Sequence, residues 1–365
     1  MNIIHIDTQN TWRGGQRQAL ELIKRLNKQG IHNILACKRS SEISRRAEES
    51  GIDVVHFAFL GEWDIVSAIK LRSYIKRNKI DIAHVHSSHA HGIAYLALYN
   101  LADCKLVVSR RVDFHVKGFL SRKLKYGLSV SKIIAVSDAI KRVLTEDGID
   151  PKKILTIRSG FIVEDITKNS TKKDLRVELN IKDTSVVVAT VAALAPHKAH
   201  YVLVKAAYKV LQKHPDTVFL LAGEGEMRPE IEKDILNLGI EESVKLLGFV
   251  EDIETVYNTA DIFAMSSSEE GLGSSFFDAM YFKLPIVATS AGGIPEIVKD
   301  EFNGFIVPVD DYISFADRIN YLIENAEERK NMGSRSSQIL NENMIDRTVD
   351  KTIEVYKELI TPHST

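Results

Sequence analysis

The feature that most constrains this chain is a two-part alternation of short β-branched runs with helix-like stretches. In the first half the runs sit at Ile3–Ile6, Ile34–Ala36, Val54–Phe57, Ile82–Val85, Leu106–Ser109, Ile133–Val136 and Ile154–Ile157. Helical patterns lie between them. Gln16–Gln29 puts Ala19, Leu22, Ile23 and Leu26 on one stripe with Gly30 as its stop, and Ile65–Asn78 is a second such pattern. Strands separated by helices build parallel sheets covered on both faces rather than hairpins. The rhythm breaks at Phe161–Lys173, a polar stretch without period that reads as an interdomain connection. A second series follows at Val186–Val191, Val218–Leu221, Val244–Leu246, Ile262–Met265, Ile286–Ala288 and Phe305–Val307, and helical segments run from Ile313 to Leu359. The pattern predicts an α/β chain of two doubly wound parallel-sheet domains, residues 1–163 and 164–343, with a helix over about 344–365 packing back onto the first. The C-terminal ends of the two sheets are expected to face a central cleft that takes the ligand.

A length of 365 residues suits two cores. No run approaches 18 apolar residues, so no spanning helix is expected. The N-terminus opens on a strand-like run that leaves no room for a signal peptide, and two cysteines, Cys37 and Cys104, are too few for a disulfide framework or a structural zinc site. The expected location is cytoplasmic. Charge is uneven: residues 1–163 carry 27 Lys and Arg against 15 Asp and Glu, whereas the rest carries 21 against 34. A basic first half suits an anionic partner, either a membrane surface or nucleic acid, although such a partition also arises from ordinary surface charge. No nucleic-acid-binding module appears, so nucleic acid is not expected.

The strongest chemical signal is Ser268-Glu269-Glu270-Gly271-Leu272-Gly273-Ser274-Ser275-Phe276-Phe277-Asp278-Ala279-Met280. It leaves the strand Ile262–Met265 and enters a helix whose N-terminus is expected near Gly273–Ser275. Glycines let backbone N–H groups approach a ligand, and a helix N-terminus favours an anion. Glu270 at the strand end and Asp278, read as about two turns into the helix, can face one ligand, and carboxylates suit sugar or ribose hydroxyls.

On these residues the chain resembles family 4 of the retaining glycosyltransferases, which place a Glu, seven residues and a second Glu here. The resemblance covers essentially the whole chain. Gly14-Gly15 matches the N-terminal glycine loop, Leu194-Ala195-Pro196-His197-Lys198 the phosphate-binding segment, and Ala222-Gly223-Glu224-Gly225 the next glycine turn; Leu247-Gly248-Phe249-Val250 and Ala291-Gly292-Gly293-Ile294-Pro295-Glu296 follow in order. The family implies the GT-B fold of two Rossmann-like domains. It also implies that a nucleoside-diphosphate sugar is the donor, that transfer retains anomeric configuration, and that no metal or other cofactor is required. Carried over by position, Lys198 holds the diphosphate and Glu270 the transferred sugar. Gly271, Leu272 and Gly273 supply backbone donors, Asp278 replaces the ribose-binding Glu, and Glu224, Val250 and Gly15 are further donor contacts. Ala193 stands where the family has an Arg, and Arg13, Arg110 or Arg111 are candidates to compensate. No Asp-x-Asp pair is present to hold a divalent ion, which leaves Lys198 and the helix dipole as the expected charge partners.

His84-Val85-His86-Ser87-Ser88-His89-Ala90-His91 leaves three readings open: a metal site, a ligand contact with His86 as the residue chosen, or structural histidines. Where many family members place a His after the next strand, this chain has Ser109-Arg110-Arg111-Val112-Asp113, making Arg111 and Asp113 the candidates. Residues 105–132 hold eight basic residues and one acidic one, with Phe114, Val116, Phe119, Leu120, Leu124 and Tyr126 interleaved. The segment is expected to face an anionic membrane surface or a phosphorylated acceptor, against the alternative of a core stripe with a solvated basic face. The catalytic candidates are therefore Glu270, Lys198, Arg111 and His86. The expected function is assembly of a cell-surface glycan, lipopolysaccharide or glycolipid by a peripheral protein acting on a glycan or lipid-linked acceptor. A non-catalytic nucleotide-sugar-binding subunit and a GT-B sugar epimerase are the alternatives.

Overall fold

The computed structural model describes residues 1–112, 115–116, 125–127, 129–163 and 174–361. The chain forms two compact units: Met1–Gly160 with the segment from Met344 onward, and Phe161–Asn343. The N-terminal unit holds β1 (Asn2–Ile6), β2 (His32–Cys37), β3 (Asp53–His56), β4 (Ile82–Val85), β5 (Lys105–Arg110), β6 (Val130–Ala135) and β7 (Ile154–Thr156). These form one sheet in the order β3-β2-β1-β4-β5-β6-β7, parallel throughout. The second unit holds β8 (Val187–Val191), β9 (Val218–Ala222), β10 (Val244–Gly248), β11 (Ile262–Met265), β12 (Ile286–Thr289) and β13 (Gly304–Val307). Their order is β10-β9-β8-β11-β12-β13, again parallel. Every run read as a strand is one, within three residues of its expected ends.

Each sheet reverses its direction of winding once, beside its first strand. β1 lies between β2 and β4, and β8 lies between β9 and β11. The connections leave these neighbouring strands toward opposite faces, and ligands of open α/β sheets bind in the gap that results at the strand C-termini. The helix Gly14–Lys28 shows how the flanking layer is tied down. Its stripe of Ala19, Leu22, Ile23 and Leu26 is buried, and it closes with Gly30 N–H donating to Asn27 O and Ile31 N–H to Leu26 O. In the second unit Phe219, Ile262, Val287 and Phe315 anchor the equivalent core.

Two sequence expectations change here. Phe161 does not begin a loose connection: it is buried, its N–H donates to Asn343 O at 2.7 Å, and its ring lies 5.2 Å from that of Tyr281. An apolar side chain at the head of a polar stretch acts as an anchor. The remainder, 164–173, lies outside the described residues. The proposed basic membrane segment also changes. Its two ends are the strands β5 and β6, Lys125 is buried in an ion pair with Glu62, and Tyr126 packs edge-on against His91 at 4.8 Å. Residues 113–114, 117–124 and 128 of that segment, Asp113 included, lie outside the described residues.

The helix Ile345–Ile360 is part of the N-terminal unit and meets a polar seam within its core. Tyr356 is fully buried and its hydroxyl lies 2.5 Å from His84 Nδ1. His84 Nε2 lies 2.8 Å from Ser109 Oγ. Register places His84 opposite His5, and His5 Nδ1 lies 3.0 Å from His86 Nε2 while its Nε2 meets Asn33 Oδ1 at 3.1 Å. The His84 and His86 rings lie 4.2 Å apart. Burial holds His5 at a pKa of about 4 and pushes His84 and His86 well below the ordinary imidazole value, so all three are neutral at pH 7. Arg25, between Glu21 and Asp346, adds a charged clasp on the same helix.

Truncating Tyr356→Ala should cost about 3–5 kcal/mol, as other buried aromatic deletions do. Hydrogen exchange should register the loss in β1, β4 and β5 and leave β8–β13 protected; equal loss in both units would show that the helix does not belong to the first. The histidines make a second prediction. Their folded pKa values lie below the value of about 6.5 expected for the unfolded chain, so the unfolded chain binds more protons between the two. Their contribution is complete above that pH and is lost as pH falls toward about 4. Stability against thermal unfolding should therefore fall from about pH 7 to 5, by up to roughly 1.4 kcal/mol per histidine per pH unit. His84→Gln/His86→Gln should flatten that slope, and an unchanged slope would refute the assignment.

Candidate active site

In the second unit the candidate residues Lys198 and Glu270 gather where β8 and β11 end. After β8 the chain turns through Ala192–Ala195 into a short 3₁₀ turn, Pro196–Lys198, then through Ala199 in a left-handed conformation into the helix His200–Lys213. After β11 the segment Ser266–Glu270 is fastened to that turn. Ser268 N–H donates to His197 O at 2.9 Å, and Ser266 Oγ donates to the carbonyls of Lys198 and Ala199 at 3.1 Å each. Gly293 N–H donates to Glu270 O at 2.9 Å, and Thr289 Oγ1 to Ser267 O at 2.5 Å, so the end of β12 braces the same loop. Two backbone segments are thereby held in one geometry, and they bring Lys198 Nζ onto Glu270 Oε2 as an ion pair. Both side chains are largely buried, with 14% and 11% of their surface exposed, so the attraction is weakly screened.

Gly271 and Leu272 lead into the helix Ser274–Tyr281, capped by Gly273 at φ +79°. A side chain at Gly273 would be strained by that φ, and its Cβ would fall 2.5 Å from the Phe276 ring. The glycine therefore lets the chain turn sharply enough to start a helix four residues after Glu270, with the N–H groups of its first turn at the loop. Asp278 is the fifth residue of this helix, little more than one turn in rather than two, and it is buried. His200, beside Lys198, is buried as well, and burial and the neighbouring Lys198 charge hold it neutral with a pKa of about 4.

The glycine turn after β9 is tied to the same loop. Leu194 N–H donates to Glu224 O at 3.0 Å, Met227 N–H to Leu194 O at 2.9 Å and Gly223 N–H to Gly248 O at 2.8 Å. The Glu224 side chain points away to Arg228, which binds it at 2.7 Å and Glu232 at 2.8 Å. Arg228 opens the helix Arg228–Leu238 directly after Met227, whose N–H donates to Leu194 O; the sequence reading passed over it because it lies 35 residues downstream of Ala193. Phe249 is exposed and Val250 half-buried on the bend after β10.

In the N-terminal unit the ends of β1, β4 and β5 carry a second polar group. Asp7, missed in the sequence, is fully buried and accepts from Gln9 N–H at 2.8 Å and Gln16 Nε2 at 3.1 Å. Burial raises its pKa; those two bonds and the Arg111 charge oppose the rise. Its signal was legible as an acid closing the apolar run Ile3–Ile6. Arg111 donates to Ser159 Oγ at 3.1 Å, and burial lowers its pKa to about 10 against the attraction of Asp7. Its Nε is shielded and has no partner among the described residues. A Cβ on Gly15 would lie 3.3 Å from Arg111 Cδ, so those two sequence candidates are neighbours. A polar cavity of about 20 Å³, room for one water, is lined by Arg111, His84, Ser109, Ser159, Gln18 and Thr348. His86 is not a freely exposed contact: it is buried, Nε2 faces His5, and only Nδ1 lacks a partner among the described residues.

The trio His5, His84 and His86 has ligand atoms close enough to hold a metal ion. Its donor set fits one poorly, since both ring nitrogens of His5 and of His84 already have hydrogen-bonding partners and no carboxylate or thiolate among the described residues joins them. The arrangement serves the seam beneath Ile345–Ile360. No helix among the described residues is long and apolar enough to cross a membrane.

Comparison with known proteins agrees with this architecture. Residues 12–165 match the family described as Glycosyltransferase Family 4, and residues 171–338 match Glycosyl transferases group 1. Over 99% of the chain and 97% of the relative, the sequence is 26% identical to the UDP-Gal:alpha-D-GlcNAc-diphosphoundecaprenol alpha-1,3-galactosyltransferase of Escherichia coli. The fold matches that of a glycosyltransferase from Rickettsia africae ESF-5 with a TM-score of 0.88, at 22% identity and covering 99% of both chains. It also matches Anabaena Alr3699/HepE, solved with UDP, with a TM-score of 0.84 at 21% identity, over 98% of this chain and all of that one. With both units matched in order along the chain, the protein belongs to the family 4 glycosyltransferases and has their two-domain GT-B fold.

Proposed function

We propose that the chain transfers a sugar from a UDP-sugar to a lipid-linked glycan acceptor, with retention of anomeric configuration and without a metal ion. The observation that carries this reading is the Lys198–Glu270 ion pair, set beside the N-terminus of Ser274–Tyr281. An incoming diphosphate brings more negative charge than one carboxylate and is favoured by the helix N-terminus as well. It displaces Glu270 from Lys198, and the released carboxylate then accepts hydrogen bonds from hydroxyls of the donor sugar. Phosphate binding and sugar recognition are coupled through one side chain. The uridine base and the lipid-linked acceptor are supported by the Escherichia coli relative, whose name specifies both, and uridine by the UDP bound in the Anabaena protein.

In the transfer itself the acceptor hydroxyl attacks the anomeric carbon from the face that the diphosphate leaves. The bond from that carbon to the phosphate oxygen breaks, and the departing phosphate takes the acceptor proton. Lys198 stabilises the charge that develops on the leaving group. Asp278 and the Glu224–Val250 loops are assigned to the nucleoside. In the N-terminal unit, Arg111 and His86 are our candidates for handling the acceptor, with Asp7 as the carboxylate that orients Arg111. The absence of an Asp-x-Asp pair supports metal independence. Peripheral work at the inner face of the plasma membrane, in assembly of a surface glycan, completes the reading.

Calorimetric titration with UDP and a UDP-sugar transfer assay with EDTA present test it. Lys198→Ala should weaken UDP binding about 10–100-fold, the worth of a charge-assisted contact of about 1.5–3 kcal/mol. Glu270→Ala should leave UDP binding intact or tighten it, because Lys198 loses its competitor, while transfer falls by at least about 100-fold. Unchanged UDP affinity in Lys198→Ala would remove the diphosphate assignment. Transfer that EDTA abolishes and a divalent ion restores would overturn the metal-free mechanism.

A further inference from the structure

Outside the candidate site the N-terminal unit presents an apolar face that its own core does not explain. Leu60, Trp63, Ile65, Val66 and Ile69 are all between 49% and 87% exposed. Single exposed apolar residues are ordinary; five within ten positions are not. They are held outward by design of the surrounding contacts. The Asp64 carboxylate accepts from Leu60 N–H and Ser67 N–H at 3.0 Å each and from Ser67 Oγ at 2.6 Å, locking the loop to the first turn of the helix Ile65–Arg77. Glu62 is paired with Lys125, and its carbonyl lies where a Cβ on Gly92 would approach to 2.5 Å, so only glycine lets the loop seat that closely. Phe59, Ala68, Leu71 and Ile75 point inward and anchor the opposite side.

The same helix carries charge of one sign. Between Ile65 and Ile80 there are five basic residues, Lys70, Arg72, Lys76, Arg77 and Lys79, and no acidic one. Arg72 turns back to the carbonyls of Ala97 and Tyr99, whereas Lys70, Lys76 and Arg77 are exposed with Val66, Ile69 and Ser73. Positions three and four apart share a helix face, so one face is apolar in its first turns and basic in its last. The helix is about 18–20 Å long, which puts both ends within reach of one flat surface. Apolar side chains with a Trp beside a purely basic strip complement the acyl boundary and the phosphates of an anionic leaflet.

We propose that Leu60–Arg77 is the surface by which this chain lies on an anionic phospholipid bilayer, with Trp63, Ile65, Val66 and Ile69 at the headgroup boundary and Lys70, Lys76 and Arg77 over the lipid phosphates. The surface is separate from the residues 105–132 expected to serve this role, of which Lys125 and Tyr126 are occupied inside the unit. Vesicle binding needs neither donor nor turnover, so this inference and the transfer reading fail separately.

The test is co-sedimentation of the full chain with vesicles of phosphatidylglycerol and phosphatidylcholine in roughly equal amounts, beside vesicles of phosphatidylcholine alone. Native protein should favour the anionic vesicles at least tenfold, and salt at about 0.5 M should weaken the binding. Ile65→Ser/Ile69→Ser and Lys70→Glu/Lys76→Glu/Arg77→Glu should each lose at least tenfold, with thermal unfolding and UDP affinity unchanged because the altered side chains face solvent. Failure of the native chain to pellet with anionic vesicles would overturn the proposal, as would unaltered pelleting of both variants. Self-association of the native chain without vesicle binding, abolished by Ile65→Ser/Ile69→Ser, would overturn it too and assign the face to a second copy.

Discussion

The structure depends on the reversal of winding beside the first strand of each sheet. Successive parallel strands joined by helices are added outward in one direction along the sheet until a connection crosses back to the other side of the first strand. At that point two neighbouring strand ends send their connections to opposite faces and leave a gap at the strand C-termini. In this chain the ends of β1 and β4 carry Asp7 and His86, and the ends of β8 and β11 carry Lys198 and Glu270. The chemistry of both units is thus concentrated where the topology leaves room for it.

In the second unit that room is shaped by backbone bonds between segments far apart in sequence. The carbonyls of His197, Lys198 and Ala199 accept from Ser266 and Ser268, and Gly293 holds the carbonyl of Glu270. Opposite charges fixed in this way suit the proposed exchange of a carboxylate for a phosphate, because the lysine is already in position. Pairing also accounts for how two largely buried charges are tolerated before any ligand arrives: each neutralises the other.

The N-terminal unit solves a different problem. Its core contains a line of neutral imidazoles and a tyrosine hydroxyl where an apolar core would be simpler. Such a seam is stable only when nearly every polar atom is matched, and it therefore favours one placement of Ile345–Ile360 over others of equal apolar burial. A chain segment that follows the second unit is in this way returned to the first. On the outer side of the same unit, Asp64 and Glu62 are used to hold apolar residues toward solvent, an arrangement with no benefit to the core.

Fold class, the thirteen strand positions and the Glu270–Asp278 segment were legible in the linear sequence, because period, glycine placement and helix starts are properties of neighbouring residues. The helix stripe Ala19–Leu26 and the stop at Gly30 belong to the same class. What joins distant residues was not legible. His5 meets His84 only through the register of β1 on β4, and Met227 meets Leu194 only through the bonds between the loops after β8 and β9. Asp278 read as two turns into its helix until Gly273 fixed where the helix begins. Lys125 and Tyr126 belong to a stretch that read as a surface, whereas both are buried, and the exposure of Leu60, Trp63, Ile65, Val66 and Ile69 was not read from the sequence. Composition and period state which residues need burial or a partner. Only the packed chain decides which of them obtain it, because burial is shared among all the elements that compete for one core.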